Sequence, residues 1–198
     1  MVKLARATVD EYVKTDRKLD VPADTPQQLK KKSGVFVTLN TLKGKQVSLR
    51  GCIGRPYPSD PLVQATIDSA VDAAANDPRF SPVSERELSS IVVELSVLTP
   101  PVKIKYNDPR ELLELVEVGR DGLIVSRGMW RGLLLPQVPV EWNWGVREFL
   151  ENTCNKAGLP LNAWTDPDTQ FMSFQAEIFG EEQPRGKIVR NPSHVRAC

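Results

Sequence analysis

The sequence predicts an α+β protein in which mainly antiparallel sheet is flanked by helices. Three observations carry that prediction. Short runs dense in β-branched and aromatic residues come in pairs separated by tight turns, the way antiparallel strands are joined. Between the pairs lie longer stretches whose apolar residues recur at helical spacing. And 16 prolines in 198 residues exceed the usual ~5 %, which fixes many turns because proline presets φ and cannot donate to a ladder.

The elements follow in order. Val2, Ala5, Val9, Tyr12 and Val13 share one helical face, so residues 2–14 read as an amphipathic helix. A polar stretch over 20–33, carrying Lys30-Lys31-Lys32, reads as a solvated loop. Gly34 to Leu39 is a strand, Lys43-Gly44-Lys45 a turn, and Val47 to Ile53 the second strand. Asp60 is placed to cap a helix with Pro61 at its first position, and Val63, Ile67, Ala70, Val71 and Ala74 form its buried stripe. Asp77-Pro78 ends that helix. Ile91 to Val97 is a third strand, stopped by Pro100-Pro101.

The second half repeats the order. Asp108, Pro109 and Glu111 stand in capping-box register ahead of a strand expected at Leu115–Val118. Leu123–Ser126 pairs with Trp130–Leu135, and a loop from Pro136 to Trp144 leads to a helix over Gly145–Ala157 with Gly158 as its cap. Met172, Phe174, Ala176 and Ile178 alternate through a last strand. Each half thus reads strand–strand–helix–strand, and both second strands contain Arg-Gly: Arg50-Gly51-Cys52 and Arg131-Gly132-Leu133. That is the pattern of an internal duplication. Residues 1–180 are read as one domain and 181–198 as a polar C-terminal tail.

Composition excludes more than it assigns. The formal net charge is +1, which gives no general attraction to polyanions, so nucleic acid is not an expected partner. No apolar run approaches the ~20 residues that span a bilayer, and no membrane association is expected. Cys52, Cys154 and Cys198 are an odd count without CxxC spacing, so a disulfide framework is not expected and a cytoplasmic location fits. With His194 as the sole histidine, no metal site is expected. Walker A, GxGxxG, GxSxG and HExxH patterns are all absent. No cofactor is indicated.

The candidate chemistry lies in Leu49-Arg50-Gly51-Cys52-Ile53-Gly54. Strand alternation sets Val47, Leu49 and Ile53 on one face and Ser48, Arg50 and Cys52 on the other. A guanidinium beside a thiol favours the thiolate, so Cys52 with Arg50 is a candidate catalytic pair. Gly51 and Gly54 leave room for a ligand or for another backbone. Arg55, before a helix N-terminus, could help hold a carboxylate or phosphate, which makes a small anionic molecule the expected substrate. Glu94 is a carboxylate in an otherwise apolar strand and needs solvent or a partner; Arg50 is the expected one. The structural alternative stands beside each reading. A thiol between glycines is often a crowded core residue, and Glu94 can belong to a plain ion pair. Trp142 and Trp144 could stack a planar ligand or cover a core edge. Cys154, on an apolar helix face, is expected to be core.

Several segments together resemble the AMMECR family, named for a chromosomal region linked to Alport syndrome, midface hypoplasia and elliptocytosis. They are Gly34–Leu39, Leu49–Gly54, Asp77-Pro78-Arg79-Phe80, Glu94–Pro101, Gly122–Val125, Gly132–Val138 and Lys156–Leu159. The resemblance covers nearly the whole chain, and Leu-Arg-Gly-Cys-Ile-Gly is its most specific block. It implies an α+β fold of two unequal lobes with a cleft. It also implies Memo-like or radical-SAM proteins as associates, through fusions and neighbouring genes. It brings no established activity. Two functions are therefore expected as alternatives: an enzyme with its site at Cys52, Arg50 and Glu94, or a non-catalytic module that binds a ligand or partner in the same cleft.

Overall fold

The computed structural model describes residues 1–44 and 46–191. The readings made for Lys45, His194 and Cys198 therefore fall outside the described residues.

The chain forms two compact units. The first comprises Met1–Pro100 and the segment returning from Glu177, the second Pro101–Ala176. The elements in chain order are α1 (Val2–Thr15), β1 (Gly34–Lys43), β2 (Gln46–Arg55), α2 (Leu62–Ala75), β3 (Ile91–Leu98), β4 (Val102–Lys103), α3 (Leu112–Leu115), β5 (Gly122–Arg127), β6 (Trp130–Leu134), α4 (Gln137–Glu141), α5 (Val146–Lys156), β7 (Gln170–Phe174), β8 (Ala176–Glu181) and β9 (Ile188–Arg190).

In the first unit the strands lie in the order β2-β1-β3-β8-β9. Strand β1 pairs antiparallel with β2 on one side and β3 on the other. Val35, Val37 and Leu39 of β1, with Val93 and Leu95 of β3, are fully buried and pack with alanines of α2 and with Val2, Ala5 and Val9 of α1. Alternation puts these residues on one face of the sheet. Helix α2 can approach so closely because Gly51 has no side chain: a Cβ there would stand 2.1 Å from the Ala73 carbonyl oxygen. A buried ion pair ties the unit's first helix to its last long strand. Arg6 donates from Nε to Glu181 at 3.0 Å and from Nη2 to the Ile91 carbonyl at 2.5 Å, while Glu181 also accepts from the Val93 amide at 3.0 Å.

In the second unit the order is β4-β7-β5-β6. Here β5 is the strand flanked by the next strand and the later one, as β1 is in the first unit. The glycines of the two Arg-Gly pairs correspond as well. A Cβ on Gly132 would stand 2.6 Å from the Ala157 amide at the end of α5, as Gly51 meets the last turn of α2. The duplicated strand–strand–helix–strand unit is thus matched in topology and at its closest sheet–helix approach.

Five local expectations change. Strand 115–118 does not form; α3 ends at Leu115 and the chain turns. Pro136–Trp144 contains α4 rather than only a loop. The expected last strand is two strands, β7 and β8, in different sheets. Ile188–Arg190, read as tail, pairs with β8 instead. At α2 the cap is Pro61 with no side-chain bond, and Asp60 accepts from Ser59 Oγ at 2.8 Å.

Candidate functional site

Strand β2 carries a register break. Leu39 faces Gly51 but Asn40 faces Leu49, so Arg50 is an extra residue with no partner across the ladder. A bulge of this kind reverses the side-chain alternation beyond it. Val47 and Leu49 therefore register on Cys52's face of the sheet, and the alternation that set Arg50 beside Cys52 does not hold. Arg50 turns to the segment after α2. It donates to both Glu87 oxygens, at 2.6 and 3.2 Å, and to the Pro82 carbonyl at 3.2 Å. Its guanidinium lies 5.8 Å from the centroid of the Phe80 ring. The expected Arg50–Glu94 pair is not formed. The Arg50 hydrogen bond, opposed by burial and aided by Ser84, holds the Glu87 carboxyl at about 2.

Cys52 and Glu94 are nonetheless brought into line. Thr38 is the register partner of both, so Cys52, Thr38 and Glu94 form one row across β2, β1 and β3 on the sheet face opposite α2. Thr38 Oγ1 lies 3.3 Å from Cys52 Sγ. Cys52 is disulfide-bonded; its sulfur is then only an acceptor, and Thr38 is the donor. The free thiolate expected at Cys52 is not what the structure holds.

The backbone of Cys52 faces the open edge of β2, as a non-hydrogen-bonded pair with Thr38 requires. The turn after α2 clips onto that edge. Asp77 Oδ2 accepts from the Cys52 amide at 2.8 Å, and Arg79 Nη2 donates to the Cys52 carbonyl at 3.3 Å. Arg79 also holds Asp77 through Nε at 3.0 Å and Nη2 at 2.7 Å. Burial would raise the Asp77 carboxyl, but the Arg79 guanidinium and the two backbone N–H donors outweigh it and bring it to about 2. An edge strand so covered is not available for further pairing.

Two further residues extend the row into a band. Asn40, along β1 from Thr38, and Ser96, along β3 from Glu94, are both fully buried. Among the described residues neither the Asn40 amide nor the Ser96 hydroxyl has a hydrogen-bond partner. From the register they stand four residues apart, about 14 Å at ~3.4 Å per residue. At the Ser96 end the neighbouring Phe36 and Gly54 keep partial exposure.

The remaining expected ligand residues have packing partners. Gly54 makes room for Phe36, whose ring atoms lie 2.3 Å from where a Cβ would be. Arg55 reaches the middle of α2, donating to Ser69 Oγ at 2.9 Å and Asp72 Oδ2 at 2.8 Å, not its N-terminus. Both cations expected to hold an anion are thus bound to carboxylates. In the second unit, Trp142 and Trp144 stack at 6.1 Å with their planes 19° apart. Cys154 is fully buried, and desolvation pushes its thiol up to about 11. Among the described residues no group of three or more His, Cys, Asp or Glu is gathered as a metal would need, and no helix is long and apolar enough to cross a membrane.

Thr38, Asn40, Ser96, Asp77 and Arg79 were missed as site residues. Alternation does place the first three opposite the apolar face, and that signal was available; the clip from Asp77 joins residues far apart in sequence and carries none.

A two-unit α+β fold with twin antiparallel sheets and a polar row beside an Arg-Gly-Cys strand defines the class. The chain belongs to the AMMECR1 family, whose pattern it matches over residues 2–179. A Thermococcus gammatolerans protein is 55% identical over 193 residues, covering 97% of this chain and 94% of its own. A Methanocaldococcus jannaschii relative, MJ0810, is 47% identical over 188 residues, covering 95% and 92%. The crystal structure of the uncharacterized protein PH0010 from Pyrococcus horikoshii superposes with a TM-score of 0.91 at 54% identity, covering 96% of this chain and 94% of that one.

Proposed function

We propose that this chain is a non-catalytic module that recognises a small polar ligand along the band formed by Asn40, Thr38, Cys52, Glu94 and Ser96. The observation that carries the reading is the pair of fully buried, unpartnered side chains, Asn40 and Ser96, at its two ends. Buried polar groups are ordinarily satisfied, and leaving one unmade costs ~1–3 kcal/mol, so each such group asks for an explanation. The second unit supplies the comparison. Its row equivalent to Cys52–Thr38–Glu94 is Leu133–Ile124–Met172, all apolar. The same architecture is therefore built without polar side chains there, and the fold alone does not call for them in the first unit.

The enzymatic alternative, with Cys52 as nucleophile, Arg50 as its activator and Glu94 as acid or base, has less support. It needs a free thiolate and an unengaged guanidinium. The ligand class shifts with it, from an anion to a molecule bearing both donors and acceptors. Association with Memo-like or radical-SAM proteins stays in the proposal on the family resemblance. A cytoplasmic location loses the support of cysteine usage, because Cys52 is disulfide-bonded; alkylation of Cys52 in freshly lysed cells tests it.

The test is to denature natively purified protein and identify released small molecules by mass spectrometry. A polar compound near one per chain is expected, and it should be absent from Asn40→Leu/Ser96→Ala. That variant should keep or gain stability, since it removes two unsatisfied groups. A wild-type protein that releases nothing, or a variant that retains the compound, overturns the proposal.

A further inference from the structure

The opposite face of the same sheet ends in an apolar cavity of about 450 Å³ that lies wholly within the first unit. Its floor is Leu62 and Leu95, both buried members of the core. Its walls are Leu29, Val97, Phe179 and Ile188, all only partly buried although they pack against that core. Apolar side chains left half-covered around an open hollow lose the contacts that close-packed interiors supply. A volume in the ~300–1,000 Å³ range with apolar walls and few polar groups is the usual form of a small-molecule site.

The rim decides what kind of molecule. Two charged side chains stand there, Lys3 and Glu177, beside the Met1 amino group, whose pKa is lowered by burial. Glu177 is engaged, accepting from Arg190 at 3.0 Å. Lys3 is exposed and makes no ion pair among the described residues. The rim thus offers the solvent-exposed Lys3 ammonium, with the part-buried Met1 amino group beside it, above an apolar hollow.

We infer that this cavity binds an amphiphile with an unbranched apolar body and an anionic head, the chemistry of a medium-chain carboxylate, its head at Lys3. The elements around it give the site its shape. Val2 and Lys3 begin α1, Leu29 lies in the 3-10 turn Gln27–Lys30, and Phe179 and Ile188 come from β8 and β9. The site is separate from the polar band, which occupies the other sheet face, so either can fail without the other.

The test is isothermal titration of the full chain with decanoate, decanol and decylamine below their aggregation concentrations. Saturable 1:1 binding of decanoate is expected, with decanol weaker and decylamine weakest. Lys3→Glu should weaken decanoate about tenfold, the size of one lost charge-assisted contact, and leave decanol unchanged. Val97→Trp should abolish all binding by filling the hollow. Ile188→Trp, on a strand at the sheet edge, is the second plug should the first not fold. Failure of decanoate to saturate, decylamine binding as well as decanoate, or a folded plug variant that binds normally would overturn the inference.

Discussion

The Asp77 clip on strand β2 gives a pH-dependent prediction that can be worked through from the structure. Asp77 is nearly enclosed, with its side chain 2% exposed beside Arg79. Its carboxyl is brought from an ordinary value of 3.8 to about 2. At about 1.36 kcal/mol for each tenfold change in proton affinity, that difference is worth about 2 kcal/mol of folding stability at neutral pH. The sign follows from proton counting. Between about pH 4 and 2 the unfolded chain binds the proton and the folded chain does not, so the contribution is full above about pH 5 and gone below about pH 2. Glu87, also held at about 2 by Arg50, titrates in the same window. Its side chain is 35% exposed, so solvent screening leaves it no more than about 1 kcal/mol.

The perturbation is Asp77→Asn, which keeps an acceptor for the Cys52 amide but removes the charge that Arg79 faces. Urea unfolding, followed by tryptophan fluorescence from pH 7 to pH 2.5, is the assay. With a slope of about 2 kcal/mol per molar, the variant's midpoint should lie about 1 M below wild type at pH 7. The two curves should converge as the pH falls through the window. A separation that stays constant down to pH 2.5 would refute the electrostatic account and assign the effect to packing. The Cys52 amide offers a local check, since its hydrogen exchange should be faster in the variant only above that window.

The remaining predictions concern packing and the other buried charges. Gly51→Ala sets a methyl 2.1 Å from a backbone oxygen of α2, an overlap that a flexible side chain cannot relieve; a loss of ~1–3 kcal/mol or more is expected in thermal unfolding. Gly54→Ala meets the Phe36 ring at 2.3 Å and the Val35 backbone oxygen at 2.6 Å, and should cost a comparable amount. Glu181→Gln leaves buried Arg6 with only Asp10, 3.6 Å away, as counter-charge and should destabilise by somewhat less than the ~3–5 kcal/mol of a fully unpaired buried charge, read by the same urea titration. Cys154, its thiol pushed up to about 11 and fully buried, should resist iodoacetamide at pH 8 in the folded chain and react only on unfolding; labelling in the native state at the unfolded rate would contradict its placement.

Much of this fold was legible because its strands alternate cleanly. Val35, Val37 and Leu39 on β1, with Val93 and Leu95 on β3, declare one apolar face, and the structure buries that face under α1 and α2. What was not legible was anything that depends on a partner distant in sequence. The bulge at Arg50 shows only in the pairing of β2 with β1, and a single strand read alone shows only its alternation. The Arg6–Glu181 pair spans nearly the whole chain, so neither residue signals the other. The split of residues 170–181 into strands of two sheets likewise depends on where each half finds its neighbours, not on local pattern.

The two units agree at some of the residues read as site candidates and differ at others. Reading Arg50-Gly51-Cys52 and Arg131-Gly132-Leu133 as copies pointed to their shared part, and the structure shows what that part does: the glycine admits the last turn of a helix in both units. A feature that both copies keep is a feature of the scaffold. In the central row the units differ, with Cys52 against Leu133, Thr38 against Ile124 and Glu94 against Met172. Cys52 and Glu94 were singled out for their residue types and do lie in that row. Gly51 belongs to the scaffold, whereas Arg50 is a bulge residue turned to Glu87 and has no counterpart in Arg131, which pairs with Ser126 in a regular ladder. The comparison between copies, rather than the unusual residue taken alone, is what separates the two groups.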